Sequence, residues 1–139
     1  MKKSIENNNT FMCFVYGTLM RGNSNNQVIG ASKFICEAKI KAFACYDSPY
    51  GFPLVIPTKD INNEVVGEIW EVPISQLMQL DMLEGYNEGL DDGMYLRRHT
   101  VAVRSDNNKE CEVSFYLWNR NIPSGSQLVP SGKKWSKKY

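Results

Sequence analysis

The sequence predicts an α+β domain built mainly of strands, most simply a small closed barrel. Two observations support this prediction. Five segments have the composition and patterning of strands, whereas one helix is clearly marked and a second, around residues 23–31, is possible. Closing the sheet into a barrel also removes the strand edges that an open sheet leaves unpaired.

The first three strands differ in character. Residues 11–15 form a continuous apolar run, typical of a strand covered on both faces. The segment 52–57, FPLVIP, is bounded by prolines, which lack the N–H that an internal strand donates, so it suits an edge or rim position. Residues 64–72, EVVGEIWEV, are β-branched and aromatic, and Gly67 marks a bulge, a bend or a close backbone approach.

The last two strands form a predicted hairpin. YLRRHTVAVR, at 95–104, and CEVSFYLW, at 111–118, are joined by the turn-rich segment SDNNKE. In the second of these strands Tyr116 shares a face with Ser114 and Trp118.

The marked helix follows Pro73, which suits a first helical turn, and Gly85 supplies a left-handed stop. Its apolar residues recur at helical spacing: Ile74, Leu77, Leu80 and Leu83.

Glu84 is the candidate catalytic residue. At about 100° per residue it lies within roughly 20° of Leu77 and 40° of Leu80, so it projects from the apolar face. The helix dipole and partial burial both disfavour a carboxylate here, which raises its pKa toward the value that a general base needs near pH 7. The alternatives are that Glu84 reaches water past the helix end or pairs with Arg97 or Arg98.

A second candidate site lies where the first strand ends, in the sequence Tyr16-Gly17-Thr18-Leu19. Gly17 permits a sharp turn with no Cβ to obstruct a ligand, and the N–H groups of Gly17, Thr18 and Leu19 can converge on an anion such as a carboxylate. An ordinary strand-to-loop glycine is the alternative interpretation.

The stretch VYGTLMRGNSNN resembles the signature of the gamma-glutamylcyclotransferase-like superfamily, especially its gamma-glutamylamine cyclotransferase and AIG2-like branch. The resemblance extends over most of the chain, from about Phe14 to Leu117. The later blocks follow in the same order: GFPLVIP, VVGEIWEV, LDMLEGY, YLRRHTVAV and VSFYLW, with PSGKKW similar to the closing element.

This resemblance implies a small mixed β-barrel with flanking helices and a cavity whose base is Glu84. It implies that the backbone of residues 16–19 binds the glutamyl head of the substrate. From the strand face that it shares with Ser114 and Trp118, Tyr116 either borders the cavity or faces outward. The implied reaction is intramolecular aminolysis of a small γ-glutamyl compound, which releases 5-oxoproline and an amine or amino acid. It requires no cofactor and no metal.

Other residues are assigned structural roles. Tyr95 and Arg97 match a family block, although Arg97 is also a possible partner that keeps Glu84 ionised, and His99 is expected to be packed. Arg21 shapes the loop behind the first strand or is a surface charge. The segment 87–94, NEGLDDGM, is longer than in compact relatives, and a lid, a cation site or a solvated loop would each fit its acidic residues.

Two non-enzymatic classes remain open. One is a binding module that holds a small carboxylate or a partner's terminus in the same cavity. The other is an interaction protein that uses the acidic loop or the basic C-terminal tail. Retention of an acid at Glu84 favours catalysis, because a buried carboxylate without a role is costly.

The composition indicates a single domain over residues 1–139, with loosely held termini at 1–10 and 136–139. The net charge of +1 gives no support for a nucleic-acid or membrane partner. The four scattered cysteines suit a reducing compartment, and there is no secretory leader or apolar span, so we expect a cytoplasmic protein. We expect a monomer or a weak homodimer.

Overall fold

The computed structural model describes residues 10–23, 26–30, 32–86 and 92–136. Helix α1 spans Leu77–Glu84, and short 3-10 turns cover Asn26–Ile29 and Ile74–Gln76. The strands of the described chain are β1 (Thr10–Val15), β2 (Lys33–Lys41), β3 (Phe43–Asp47), β4 (Pro53–Pro57), β5 (Glu64–Pro73), β6 (Tyr95–Arg104), β7 (Glu110–Trp118) and β8 (Gln127–Leu128).

Five strands close into a barrel in the order β1, β5, β2, β6, β7, and a separate sheet has the order β4, β3, β8. The barrel is mixed, because β1 pairs with β7 in parallel whereas the other neighbouring strands pair antiparallel. The predicted α+β fold with a small closed barrel is therefore confirmed.

The barrel strands carry the core. In β1 the residues Cys13, Phe14 and Val15 are all buried, as the continuous apolar run predicts. Strand β7 is buried on both faces over residues 113–116, which includes Tyr116. Tyr116 therefore does not face solvent.

Gly67 allows β5 to approach β1 closely. A Cβ at this position would lie 2.3 Å from the carbonyl oxygen of Val15 and 2.7 Å from the ring of Phe14. The sequence allows Gly67 to mark a bulge, a bend or a close backbone approach. The structure shows the close approach, which a larger residue would prevent.

Strand β4 is an edge strand, as its flanking prolines predict, because it pairs only with β3. Strands β2 and β3 are not among those that the sequence pattern predicts. In β2 the buried positions Cys36 and Ala38 are small, and four charged residues are spread among the apolar ones, so the apolar pattern that marks a strand is interrupted.

Helix α1 ends where the sequence predicts. Gly85 is left-handed, with φ of 69°, and the Tyr86 N–H donates to the carbonyl of Asp81 at 2.8 Å. The predicted apolar face is only partly buried, however. Leu80 is fully buried, whereas Ile74 and Leu83 are exposed. The possible helix around 23–31 is a 3-10 turn over Asn26–Ile29, and residues 24, 25 and 31 lie outside the described chain.

The cysteines are all free: Cys13, Cys36 and Cys45 are buried and Cys111 is partly buried. In the described ranges no helix has the length and apolar character that crossing a bilayer would require. The termini 1–9 and 137–139 and the loop residues 87–91, for which the sequence suggests loose ends and a lid or solvated loop, lie outside the described residues. Thr10 already belongs to β1 and bonds Glu71 at 3.0 Å.

We predict that Gly67→Ala lowers the free energy of unfolding by about 2–3 kcal/mol, because the added methyl group meets backbone and a packed ring. Gly125→Ala is the control. A Cβ added at Gly125 would meet no other atom, but the φ there is 89°. This variant therefore measures only the cost of a side chain at positive φ, about 1 kcal/mol. Urea denaturation measures both. An equal or smaller loss for Gly67→Ala would contradict the close approach.

Candidate functional site

A cavity of about 380 Å³ lies beside the exit of β1. The wall consists of Phe14, Val15, Tyr16, Gly17, Thr18, Leu19, Tyr50, Gly51, Phe52, Pro53, Leu83, Glu84, Met94, Tyr95 and Tyr116. The sequence-predicted site residues, Tyr16 to Leu19, Glu84 and Tyr116, all line this one cavity.

The chain turns immediately after β1. The N–H of Met20 donates to the carbonyl of Gly17 at 3.0 Å, and the side-chain amide of Asn23 donates to the same oxygen at 2.8 Å. The N–H and C=O of a trans peptide point in opposite directions, so this carbonyl directs the Thr18 N–H away from the inside of the turn.

Gly17 is needed for a reason that the sequence does not reveal. A Cβ on Gly17 would lie 2.5 Å from Cγ and 2.8 Å from Cδ of Pro53, the first residue of β4. The space that the sequence analysis leaves for a ligand is therefore occupied in part by the Pro53 ring, which closes the cavity wall against the loop.

The loop that follows β1, residues 16–21, is called the exit loop. It is bound to the barrel through Glu68, a buried carboxylate of β5. The Arg21 N–H donates to its Oε1 at 3.0 Å, the Arg21 Nε donates to Oε2 at 3.1 Å, and the Trp70 indole donates to Oε1 at 3.0 Å. Burial alone would raise the pKa of Glu68, but these donors outweigh burial and hold the pKa below its usual value. Arg21 is thus an anchor of the loop and not merely a surface charge.

Glu84 is the last residue of α1 and the one acidic side chain among the described lining residues. Within the described chain no side chain or backbone group forms a hydrogen bond or ion pair with its carboxylate. Burial raises the pKa of Glu84 to about 7. The carboxylate is therefore poised to exchange a proton near neutral pH.

One turn earlier on the same helix, Asp81 forms the network that Glu84 lacks. Asp81 is buried, accepts a hydrogen bond from the Tyr116 hydroxyl at 2.7 Å on Oδ1, and pairs through Oδ2 with Nη1 of Arg97. The guanidinium of Arg97 also lies 5.1 Å from the ring centroid of Tyr86. The ion pair that the sequence allows between Arg97 and Glu84 is made with Asp81 instead.

Asp81 is not among the site residues that the sequence pattern predicts. Its signal is the i, i+3 spacing to Glu84, which makes the two acids neighbours on the helix surface. Tyr116 lines the cavity, its hydroxyl donates to Asp81, and its backbone carbonyl accepts from the Tyr16 hydroxyl.

Two other expectations have different outcomes. Tyr95 has a structural contact, because its hydroxyl donates to the carbonyl of Pro53 at 2.7 Å, but its ring also lines the cavity. The prediction that His99 is packed is wrong: it is exposed, since it falls on a solvent-facing position of β6. No cluster of metal-binding side chains occurs in residues 10–23, 26–30, 32–86 and 92–136.

Comparison with known families identifies the sequence pattern. The family model described as gamma-glutamyl cyclotransferase, AIG2-like, matches residues 13–137. A protein of Methanocaldococcus jannaschii named "Putative gamma-glutamylcyclotransferase" is 35% identical over 121 residues, which are 86% of this chain and 91% of the relative. A protein of Drosophila melanogaster with the same name is 29% identical over 117 residues, which are 79% of this chain and 70% of the relative.

Solved structures share the fold. An aig2-like protein from Mus musculus is 22% identical and superposes with a TM-score of 0.71, covering 91% of this chain and 88% of that one. A structure titled gamma-glutamyl cyclotransferase is also 22% identical, with a TM-score of 0.65 and coverage of 88% and 72%. At this identity the likeness concerns the fold alone.

The unpaired carboxylate gives a prediction about stability. Because the pKa of Glu84 is higher in the folded than in the unfolded chain, its cost is absent below about pH 4.5, grows as pH rises and is complete above about pH 7. Glu84→Gln should therefore be more stable than the wild type by about 2 kcal/mol at pH 8 and equal to it near pH 4.5. Urea denaturation at the two pH values measures the difference.

Glu68→Gln serves as the matched control, with the opposite sign. The pKa of Glu68 is lowered by folding, so its contribution is present above about pH 4.5 and is lost as pH falls below that value. The variant should lose about 2 kcal/mol at pH 7, and this deficit should shrink in acid. Two variants that respond to pH in the same direction would contradict the contrast between these carboxylates.

Proposed function

The chain belongs to the gamma-glutamyl cyclotransferase, AIG2-like family, and from this premise we propose that it is an enzyme that cyclises γ-glutamyl compounds. The proposed reaction releases 5-oxoproline and a free amine or amino acid from a small substrate. The observation that carries the proposal is the meeting of Glu84, unpaired and with its pKa raised, with the exit loop of β1 in one cavity.

The two sides of the cavity suit the two ends of a γ-glutamyl head group. We place the α-carboxylate of the substrate against the backbone of residues 16–19, where an N–H edge of the loop can bind an anion. The same N–H groups can stabilise the oxyanion that develops on the γ-carbonyl. The α-ammonium then lies toward Glu84, the one carboxylate on the described wall.

The proton transfers follow from this placement. Glu84 takes one proton from the α-ammonium, and the resulting amine attacks its own γ-carbonyl carbon. A new C–N bond closes the five-membered ring, and the C–N bond to the leaving amine breaks. Of the three ammonium protons, one stays on the ring nitrogen and two end on the leaving nitrogen, the first returned by Glu84.

The reaction needs little beyond positioning and proton transfer. The nucleophile and the electrophile belong to the same molecule, so a cavity that holds the folded conformer provides most of the acceleration. The pKa of about 7 lets Glu84 act first as base and then as acid at neutral pH. We therefore propose a reaction without a cofactor.

The central test is the release of 5-oxoproline from a panel of γ-glutamyl amines, γ-glutamyl amino acids and glutathione, measured by mass spectrometry. Glu84→Gln keeps the shape of the side chain but removes the base, so we expect turnover to fall by about 10²- to 10⁴-fold. Glu110→Gln, which changes an exposed acid outside the cavity, should retain full activity.

Normal turnover by Glu84→Gln would overturn the assignment of the base. If no compound is turned over, but the wild-type protein binds γ-glutamyl compounds or 5-oxoproline saturably in calorimetry, the cavity belongs to a binding module and the enzymatic proposal fails.

We predict that Asp81 positions the site through Arg97. Asp81→Asn removes a negative charge that pairs with Arg97, so the positive charge of the guanidinium is less neutralised and stabilises the ionised form of Glu84, the adjacent acid on the helix. The expected result is a drop in kcat/KM of about tenfold or more and an acid limb of the pH–rate profile that moves below the wild-type value near 7. Reduced activity with an unmoved acid limb would limit Asp81 to a folding role.

A further inference from the structure

We propose that the leaving group of the substrate is an apolar amine, alkyl or aryl, that carries no carboxylate. This inference rests on the proposed function and concerns the part of the cavity that would receive the leaving group. The outer wall, as we call Tyr50, Phe52, Leu83 and Met94, forms this part.

The outer wall is apolar and faces the opening. Tyr50, Met94 and Leu83 are 59%, 46% and 41% exposed, whereas Tyr16 and Tyr116, deeper in the cavity, are 7% and 4% exposed. Exposed large apolar side chains that border a cavity lose their unfavourable contact with water when a ligand covers them. A charged leaving group would not provide that gain.

The aromatic part of the wall is held in place before any ligand arrives. The Ser48 hydroxyl donates to the carbonyl of Phe52 at 2.6 Å and accepts from the Tyr50 N–H at 3.2 Å, which closes the turn between β3 and β4. Gly51 has a φ of 90° within this turn, a conformation that favours glycine. The turn therefore presents Tyr50 and Phe52 at fixed positions.

These rings continue into the cavity. The centroids of Tyr50 and Phe52 are 5.8 Å apart, and those of Phe52 and Tyr95 are 6.4 Å apart, so aromatic surface runs from the opening to the buried wall. An alkyl chain or an aryl ring that leaves along this path would pack against it throughout.

A carboxylate on the leaving group would find no cationic side chain there, and the Tyr50 hydroxyl is the one side-chain donor that the described outer wall offers. The described lining residues include no lysine, arginine or histidine, and the sequence of 87–91 contains none either. The buried tyrosine hydroxyls are already donated: Tyr16 to the carbonyl of Tyr116, Tyr116 to Asp81, and Tyr95 to the carbonyl of Pro53. Desolvating an anion without donors is costly, and the charge of Glu84 nearby adds repulsion.

The test compares three γ-glutamyl amides whose leaving amines are five-carbon chains that end in a methyl, an ammonium or a carboxylate group. A benzylamide provides the aryl case. We expect kcat/KM for the methyl-ended and benzyl amides to exceed that for both charged amides, and that for the carboxylate-ended amide by about tenfold or more. Equal or faster turnover of the carboxylate-ended or the ammonium-ended amide would overturn the inference.

Met94→Lys tests the missing cation directly. Met94 is on the wall and 46% exposed, so a lysine can be accommodated and its ammonium can reach the outer cavity. We expect kcat/KM to rise for the carboxylate-ended amide and to fall for the methyl-ended amide. Met78→Lys, at a 73% exposed position of α1 outside the cavity, is the matched control and should leave both unchanged.

The results separate this inference from the proposed function. Release of 5-oxoproline from all three amides at the same rate, with no effect of Met94→Lys, would retain the enzyme and reject the apolar subsite. No release from any amide, together with none from the wider panel, would reject both.

Discussion

The buried carboxylate of Glu68 determines where the chain goes after the first strand. It accepts hydrogen bonds from both the backbone and the side chain of Arg21, so the loop cannot leave the barrel without breaking these two bonds to a buried charge. Gly67, the preceding residue, lets β5 lie close enough to β1 for this contact. These contacts hold the backbone of residues 16–19 in place, and this backbone forms one wall of the cavity.

Two carboxylates of this fold have pKa values that are shifted in opposite directions. Glu68 is surrounded by donors that keep it ionised, whereas Glu84 meets a cavity without a cation and takes up a proton more readily than an acid in water. Donors aimed at a carboxylate suit anchoring, since they stabilise one protonation state. Their absence suits proton transfer, since neither state is strongly favoured near pH 7. Burial acts on both residues, so hydrogen bonding is what distinguishes the anchor from the proposed base.

Sequence reasoning identifies features with local causes and misses those with distant ones. The end of α1 at Gly85 and the placement of Glu84 toward the cavity follow from helical period and glycine conformation, which are local. Glu68 receives its bonds from Arg21, 47 residues away, and Asp81 receives one from Tyr116, 35 residues away, so neither role is visible in a short window. Strand β2 is missed because charged residues interrupt its apolar ones, and its pairing with β5 and β6, which lie far along the chain, is not visible in its own sequence.

The unpaired state of Glu84 depends on a second acid. Arg97 matches a block of the family's sequence pattern. A guanidinium beside Glu84 would lower the pKa of Glu84 and make this carboxylate a weaker base. Asp81, one helical turn before Glu84, forms an ion pair with Arg97 and accepts a hydrogen bond from the Tyr116 hydroxyl. The positive charge of Arg97 is therefore neutralised by Asp81 and not by Glu84. The helix thus carries two acids three residues apart. Asp81 is paired, whereas Glu84 has no partner among the described residues, as the proposed proton transfer requires.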